Sequence, residues 1–427
     1  MSSSTSEAHP ASLTAPIAIT GVRLLDGRSP DAIERGTLVV GTDGRIAAVG
    51  AEGSVSIPAG ATRIDGGGMT LVPGLMDCHV HLIAKLEPVH DQVQRSASDL
   101  VIRGLQTGRD FLEAGVTSIR DAGGATAGIK RAFASGAFPG PRTQISCNFL
   151  SQTGGHGDPV TPAGINLDTV MSDLPNGVAD GPDEVRKAAR LQIRAGADWL
   201  KVMATGGVLS AADGPDASQF TEEELRVCVE EARAAGIHGV MAHAEGTNGI
   251  KNALRAGVRS LEHGDLIDDE GIDLMLARNV PLVPTFVINH ALLAEDRIAS
   301  GAVPPWAVDK MLYLFDKQKV SFRHAAVDRG VRVVMGTDSF NGIYPPAELA
   351  YMAENGIGPF RALQAATCFA AELMDVSRDL GTLEAGKLAD LILVDFDPLA
   401  DPERWRDPAS MRFVMQGGRI AADRRGA

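Results

Sequence analysis

The chain has 427 residues, 44% hydrophobic and 22% charged, which is the composition of a globular protein with one large and one smaller domain, or with two or three ordinary ones. Its net charge of -14 argues against a binding surface for nucleic acid or for an anionic membrane. No stretch approaches the roughly 18 apolar residues of a membrane span, and the N-terminus lacks the pattern of a signal peptide. The 4 cysteines are widely spaced, which is typical of buried thiols in a reducing compartment, so we expect a cytoplasmic protein.

The two ends of the chain share one pattern. Residues 1–15 are rich in serine, and we expect them to be a mobile segment. Residues 16–72 contain short alternating strands with Asp-Gly turns, and residues 380–427 return to the same pattern. We therefore predict that both ends pair into one small β-sandwich domain beside the segment 73–379.

That middle segment, residues 73–379, repeats the last turn of a helix, a Gly or Asn stop and a short apolar strand. The stretches that contain the predicted strands begin at Leu75, Glu113, Arg142, Arg194, Ala234, Arg255, Ala277 and Asp328. A doubly wound sheet also alternates in this way, but eight repeats with polar residues at nearly every strand end favour a closed TIM (β/α)8 barrel. In such a barrel the C-terminal ends of the strands build the active site.

Side chains that can bind a metal stand at the ends of five of the predicted strands. They are His79 and His81 on strand 1, Lys201 on strand 4, His243 on strand 5, His263 on strand 6 and Asp338 on strand 8. His79 and His81 point to the same side, because residues two apart on a strand share a face. One histidine in a core is commonly structural, but four at converging strand ends predict a metal site. Imidazoles and a carboxylate suit Zn²⁺, and also Mn, Co, Ni or Fe.

Lys201 is the unusual member of this group, because a protonated amine has no lone pair for a metal. A lysine that faces solvent conflicts with the apolar strand around it, WLKVMATGG. The amine could act as a Schiff-base nucleophile, although two metals nearby disfavour that. It could also react with carbon dioxide to form a carbamate, whose two oxygens are able to bridge two metals. Asp77 shares the face of His79 but lies deeper, so we expect it to have a supporting role.

These motifs, together with the split sandwich and the closing GTLEAGKLADLILVD, resemble the binuclear metal-dependent amidohydrolase superfamily over nearly the whole chain. KVMATGG, AHAEG, SLEHG, GTDS and the loop SQTGGHGD are similar to its prolidase-like and carboxypeptidase-like branch, which includes bacterial ochratoxin A-hydrolysing amidohydrolases. The resemblance implies two divalent ions, most simply Zn²⁺. The first would be held by His79, His81, Lys201 and Asp338. The second would be held by His243, His263 and the shared carbamate of Lys201.

The resemblance also implies amide hydrolysis by a hydroxide that bridges the two ions, with Asp338 as base and then acid and Lys201 as the bridging catalytic ligand. His156, in the Gly-rich loop after strand 3, is predicted to donate to the substrate carbonyl or carboxylate. His290, after strand 7, is a second substrate-binding candidate. Similar enzymes are commonly dimers to octamers, so a homo-oligomer is expected, possibly an octamer.

Three functions are left open. The first is release of a C-terminal amino acid from N-acyl amino acids or dipeptides, a description that includes ochratoxin A. The second is hydrolysis of a cyclic amide, such as a hydantoin or an imidazolone, by the same machinery. The third is a non-catalytic scaffold, which predicts lost ligands, whereas no ligand position is lost in this sequence. The expected partner is a small-molecule amide or peptide substrate, with no nucleic acid or membrane.

Overall fold

The computed structural model describes residues 13–426. An eight-stranded sheet combines both ends of the chain, and a ring of short parallel strands surrounded by helices lies between them in sequence. The expectation of a mobile N-terminal segment falls on residues 1–15, of which 1–12 lie outside the described residues. Within residues 13–426, no helix is long and apolar enough to cross a membrane.

Eight strands from the two ends of the chain are hydrogen-bonded into one sheet. Its strands are β1 (Ile17–Leu24), β2 (Ile33–Val40), β3 (Ile46–Ala51), β4 (Thr62–Asp65), β5 (Thr70–Pro73), β14 (Leu391–Val394), β15 (Met411–Gln416) and β16 (Arg419–Asp423). Their order is β16-β15-β14-β5-β1-β2-β3, with β4 beside β1. The two ends of the chain meet where β14 runs antiparallel to β5. Ile46 near one edge and Phe413 near the other share one apolar core, so the sheet curls over itself.

The ring of parallel strands forms the other unit. Its strands are β6 (Leu75–Val80), β7 (Val116–Asp121), β8 (Arg142–Ile145), β9 (Phe149–Leu150), β10 (Leu200–Met203), β11 (Val240–Ala244), β12 (Ser260–His263) and β13 (Leu282–Val283). Parallel pairing joins β6, β7 and β8, and it joins β9 to β13 in sequence order. The strands β8 and β9 are two halves of one barrel strand, interrupted at Cys147, whose φ is 59°.

The segment 332–339 occupies the place of the eighth strand, between β13 and β6. A parallel bridge joins Leu282 to Val333 on one side, and a second joins Val80 to Ser339 on the other. Parallel strands in a ring with intervening helices are the architecture of a TIM barrel. The predicted fold class is therefore confirmed.

The helices lie between the barrel strands and around the mouth of the barrel. They are α1 (Val89–Gln92), α2 (Ala97–Glu113), α3 (Ala127–Ala134), α4 (Gly181–Ala195), α5 (Glu222–Ala235), α6 (Thr247–Ala256), α7 (Asp269–Arg278), α8 (Phe286–Leu292), α9 (Glu295–Ala299), α10 (Pro305–Phe322), α11 (Ala347–Met352), α12 (Pro359–Ala365) and α13 (Cys368–Leu373). Two π-helical segments follow α10 and α11, at Arg323–Asp328 and Ala353–Ile357. Two 3₁₀ turns, Pro402–Arg406 and Pro408–Ser410, precede β15.

The helix ends follow from local sequence. Helix α5 starts with a capping box in which Thr221 and Glu224 satisfy each other's backbone N–H groups. It ends at Gly236 with φ 70°, and α7 ends at Asn279 with φ 53°. These are the Gly and Asn stops that the repeated phrase predicted, and each turns the chain into the next barrel strand.

Candidate metal centre

Four imidazoles meet at the C-terminal ends of β6, β11 and β12. The ring centroid of His79 lies 5.5 Å from that of His81 and 5.2 Å from that of His263. The ring of His243 lies 4.6 Å from the ring of His263. Asp338, in the eighth strand position, places Oδ1 3.1 Å from Nε2 of His81 and 3.5 Å from Nε2 of His79. Five of the six predicted ligand residues therefore converge on one spot.

Lys201 is the sixth and lies in the same place. Its Nζ is 3.2 Å from Nε2 of His79, and the side chain is 1% exposed. Burial lowers the pKa of this amine to about 8. A larger share of the amine is therefore neutral near pH 8, and the neutral amine is the form that reacts with carbon dioxide. The lysine faces the barrel interior and not the solvent.

Hydrogen bonds on the far side of the rings fix the tautomers of the first two histidines. Nδ1–H of His79 donates to Oε2 of Glu262 at 2.8 Å, and Nδ1–H of His81 donates to the carbonyl of Gly123 at 2.8 Å. Neither acceptor can donate, so each proton stays on Nδ1 and each Nε2 is turned toward Asp338. Metal-binding histidines are typically held in this way by an acceptor behind the ring.

The other two histidines are held by similar contacts. Nε2–H of His243 donates to the carbonyl of Gly206 at 3.0 Å, which leaves its Nδ1 free. Nδ1 of His263 lies 2.8 Å from Oγ1 of Thr285. His263, Thr285 and Asp338 adopt left-handed backbone conformations, with φ of 70°, 55° and 55°. Each such residue costs about 1–3 kcal/mol of strain, and strain of this kind is concentrated at functional sites.

Burial keeps most of these rings uncharged. It lowers the pKa of His79 and of His243 well below the ordinary value, and it lowers the pKa of His263 to about 4. Burial alone would raise the pKa of Asp338, but the neighbouring imidazoles of His79 and His81 hold that pKa below its usual range. His81 is the exception among the rings, because burial would lower its pKa but the contact with Asp338 raises it. His79, His243 and His263 therefore offer imidazole lone pairs beside a carboxylate anion, the protonation states that metal binding requires.

The donor set fits a divalent ion. Among the described residues, His79, His81 and Asp338 can present three ligand atoms that all lie within 4.8 Å of one another. Donor atoms bound tetrahedrally at 2.0–2.2 Å lie roughly 3.4 Å apart, and the contacts of 3.1 and 3.5 Å around Asp338 bracket that spacing. His243 and His263 add two further imidazoles next to this group.

Sequence reasoning missed a charged layer directly beneath His79. Arg120 and Glu262 are both 0% exposed, and Nη2 of Arg120 donates to Oε1 of Glu262 at 3.0 Å. Ser260 donates to the same oxygen at 2.5 Å, and the guanidinium lies 4.7 Å from the ring centroid of Trp199. The signal was a charged residue inside each of two short barrel strands, VTSIRD and SLEH, both of which are fully buried.

Asp77 has contacts of the supporting kind that we expected. Its carboxylate accepts hydrogen bonds from the backbone N–H of His79 at 3.1 Å and from the N–H and Oγ1 of Thr337 at 3.2 and 2.5 Å. It thereby ties β6, which carries His79, to the segment that carries Asp338.

His156 lies beside the metal centre. Its ring stacks on that of His243, with centroids 4.3 Å apart and planes inclined by 18°. Nδ1 of His156 is 2.8 Å from Oγ of Ser210, which in turn donates to Asp213. Burial lowers the pKa of His156 to about 4, so the ring is neutral at neutral pH.

His290 is placed elsewhere. Its ring stacks on Tyr351 at 4.0 Å and meets Phe315 edge-on at 5.1 Å. It belongs to an aromatic cluster between α8, α10 and α11, and the structure does not bring it into the group of four imidazoles. The expected contact of His290 with substrate has no support in this arrangement.

A TIM barrel with imidazoles, a lysine and an aspartate gathered at its C-terminal strand ends defines the class of metal-dependent hydrolases. The amidohydrolase family model matches residues 70–421, and the chain belongs to that family. Its members generally use divalent metal ions. The protein is a hydrolase that acts on amide bonds.

Three similar proteins refine this placement. The ochratoxinase of Aspergillus niger is 37% identical over 366 residues, which are 82% of this chain and 75% of that protein. Its crystal structure superposes with a TM-score of 0.83 at 31% identity, covering 96% of both chains. The structure of a prolidase complexed with N-methylphosphonate-L-proline superposes with a TM-score of 0.85 at 35% identity. The structure of a Xaa-Pro dipeptidase with bound methionine superposes with a TM-score of 0.85 at 32% identity. Both structures cover 95% of this chain and 99% of their own.

Proposed function

We propose that this protein is a metal-dependent amidase that releases the C-terminal amino acid from N-acyl amino acids or dipeptides. Ochratoxin A, an amide of phenylalanine, would be a substrate of this kind, with phenylalanine and ochratoxin alpha as the products. The observation that carries the proposal is the convergence of His79, His81, Lys201, His243, His263 and Asp338. The similarity to an ochratoxinase, a prolidase and a Xaa-Pro dipeptidase supports the substrate class.

Two divalent ions, most simply Zn²⁺, would lower the pKa of a water molecule to supply hydroxide near neutral pH, and they would polarise the scissile carbonyl. His79, His81 and Asp338 would hold one of these ions. His243 and His263 would hold the other. Lys201, as a carbamate, would contact both. The buried amine of Lys201, 3.2 Å from Nε2 of His79, supports this role.

Asp338 would transfer the proton in the reaction. Its carboxylate lies against Nε2 of His81 and is held ionised by the neighbouring imidazoles. It would accept the proton of the attacking water and then donate it to the leaving amine. His156 would bind and orient the substrate carbonyl or carboxylate, because its ring lies against His243 at the edge of the centre.

The proposal is tested by a mass-spectrometric product screen with metal-supplemented protein. The substrates are N-acyl amino acids, Xaa-Pro and other dipeptides, ochratoxin A and several cyclic amides. We expect release of free amino acids that stops on chelation and returns when metal is added back. Asp338→Asn is the matched inactive variant, since it keeps the size of the side chain and removes the base.

The pattern of products decides between the candidate functions. Ring-opened products with intact acyl amino acids would replace the proposed reaction by cyclic amide hydrolysis. No turnover of any amide by fully metallated protein would favour a non-catalytic scaffold. The range of acyl groups accepted would define the substrate pocket next to His156.

A further inference from the structure

The loop that follows β10, residues 205–219, contains a nearly buried acid that the proposed mechanism does not use. Ala212 and Asp216 in this loop are exposed, but the side chain of Asp213 is only 7% exposed. Burial of a carboxylate is costly unless hydrogen bonds compensate for the lost water. We call this segment the β10 loop, and the hydrogen bonds of Asp213 within it lead to His156.

Two hydrogen-bonded arms connect Asp213 to His156. The first arm reaches the ring, because Oγ of Ser210 donates to Oδ1 of Asp213 and lies 2.8 Å from Nδ1 of His156. The second arm reaches the backbone. Nε2 of Gln219 donates to Oδ2 of Asp213 at 2.6 Å, and Oε1 of Gln219 accepts the N–H of His156 at 3.0 Å. Both oxygens of one carboxylate therefore lead to the same histidine.

The ring of His156 is also confined by its neighbours. It stacks on the ring of His243 at 4.3 Å, and it lies directly against Gly207. A Cβ atom on Gly207 would be 2.7 Å from both ring nitrogens and closer still to Cε1, and these are its three nearest atoms. Gly207 does not have a left-handed φ, so the ring of His156, and not the backbone, excludes a side chain at this position.

Lys310 of α10 fixes the β10 loop from outside. Its Nζ donates to the carbonyls of Gly207 and Ser210 at 2.9 and 2.5 Å. The same Nζ lies 3.6 Å from Oδ1 of Asp213, so the cation offsets the charge of the acid.

The course of the β10 loop does not depend on Asp213. Backbone hydrogen bonds close its neck, from the N–H of Gly206 to the carbonyl of Ala217 at 2.9 Å and from the N–H of Gln219 to the carbonyl of Ala204 at 3.0 Å. A loop closed in this way keeps its shape when the carboxylate is replaced by an amide.

We infer that Asp213 is a positioning residue that holds the ring of His156 with Nδ1 engaged by Ser210 and Nε2 left for the substrate. Gln219 fixes the backbone of the same histidine, and Gly207 leaves the room that its ring needs. The inference rests on the proposed contact between His156 and the substrate. It assigns to Asp213 an effect on substrate binding and no effect on metal binding.

Steady-state kinetics of the metal-loaded enzyme on an N-acyl amino acid test this assignment. Asp213→Asn should raise KM about tenfold, because an amide has one acceptor oxygen and cannot serve both arms, so that His156 loses its fixed place at the substrate. We expect kcat to stay within about twofold, with bound metal and Tm at wild-type values. The matched control is Asp216→Asn, which changes an exposed acid of the same loop and should leave KM unchanged.

Gly207→Ala gives a second variant that leaves the hydrogen-bonding groups in place. Its methyl group should displace the ring of His156 and raise KM in the same way. The matched control is Gly214→Ala in the same loop. An added Cβ on Gly214 has no atom within 4 Å, and its φ is not left-handed, so this variant should match wild type.

Two further measurements separate positioning from a general structural role. In a His156→Ala background, Asp213→Asn should raise KM no further, since the residue acts only through the ring. NMR of metal-loaded protein labelled with carbon-13 at Cε1 of histidine needs no substrate. The signal of His156, identified by its loss in His156→Ala, should move in Asp213→Asn and stay in place in Asp216→Asn.

Three results would overturn the inference. They are a wild-type KM in Asp213→Asn, an equal rise of KM in the His156→Ala background, and a loss of metal or of Tm in Asp213→Asn, which would show a structural role. If wild-type protein hydrolyses no amide, the proposed function fails and the NMR comparison decides alone. An unmoved His156 signal in Asp213→Asn would then refute the positioning role.

Discussion

At the scale of single residues, the candidate metal centre is supported by the buried ion pair between Arg120 and Glu262, which lies behind His79. Glu262 accepts hydrogen bonds from His79, Arg120 and Ser260, so both of its carboxylate oxygens are bonded. Removal of one partner of a buried ion pair leaves the other charge without compensation, which is more costly than removal of both. Arg120 is therefore expected to contribute strongly to stability, although it is not itself a candidate metal ligand.

We predict that Arg120→Leu lowers the free energy of unfolding by about 3–5 kcal/mol, measured by urea denaturation. The double variant Arg120→Leu with Glu262→Leu should recover part of that loss, because no buried charge is left unpaired. The matched control is Arg226→Leu, whose exposed pair with Glu222 should be worth about 0–1 kcal/mol. Equal stability of Arg120→Leu and Arg226→Leu would contradict this account of the buried layer.

The predictability of the site also differs by residue. His79, His81, His243, His263, Lys201 and Asp338 could be named because residue type and strand-end position together restrict what they can do. Arg120 and Glu262 could not, since a charged residue in a buried strand has no visible partner in the sequence. The place of His290 could not be predicted, because α8 starts at Phe286 and the direction of His290 is set by that helix and not by the end of β13.

At the scale of elements, α8 begins with an unusual cap. Thr285 is in the left-handed region and forms no side-chain cap, and instead Glu348 of α11 accepts the N–H groups of Phe286 and Val287 at 2.9 and 2.7 Å. Burial raises the pKa of Glu348 from 4.5 to about 8, in spite of these two hydrogen bonds. The carboxyl group of Glu348 is therefore protonated through the acidic and neutral range, and it becomes ionised only in alkaline solution.

This raised pKa makes stability depend on pH. The folded protein binds the proton of Glu348 more tightly than the unfolded chain does. The contribution of this proton to the free energy of unfolding is therefore fully present below about pH 4.5 and is lost as pH rises toward 8. Glu348→Gln keeps a neutral group at all pH values. We predict that the unfolding free energy of the variant, relative to wild type, rises by a few kcal/mol between about pH 5 and pH 8.5, at roughly 1.4 kcal/mol for each unit of pKa.

Urea denaturation of both proteins at the two pH values measures this difference, and each protein serves as its own reference. A difference between variant and wild type that stays constant with pH would show that Glu348 does not titrate in this range.

The barrel strands themselves could be predicted from the repeated helix stop and apolar run, because both signals are local. The break at Cys147 could not, since it depends on β8 and β9 pairing with different neighbours.

At the scale of the whole molecule, the pairing of the two chain ends was predictable because both show the same alternating pattern and Asp-Gly turns. The curl of the sheet was not predictable, since it depends on side chains from distant strands sharing one core. The barrel places all candidate ligands at one end because parallel strands all point the same way.

The central claim is that this end binds two divalent ions and uses them to hydrolyse amides.

The most direct test is a metal titration of metal-free protein, in which bound metal per chain is measured by mass spectrometry together with hydrolysis of an N-acyl amino acid. We predict that activity requires two equivalents per chain. The variant Lys201→Ala should bind less metal and be inactive, with partial rescue by short carboxylic acids, whereas the exposed Lys187→Ala should match wild type. Full activity without metal, or in Lys201→Ala, would contradict the account.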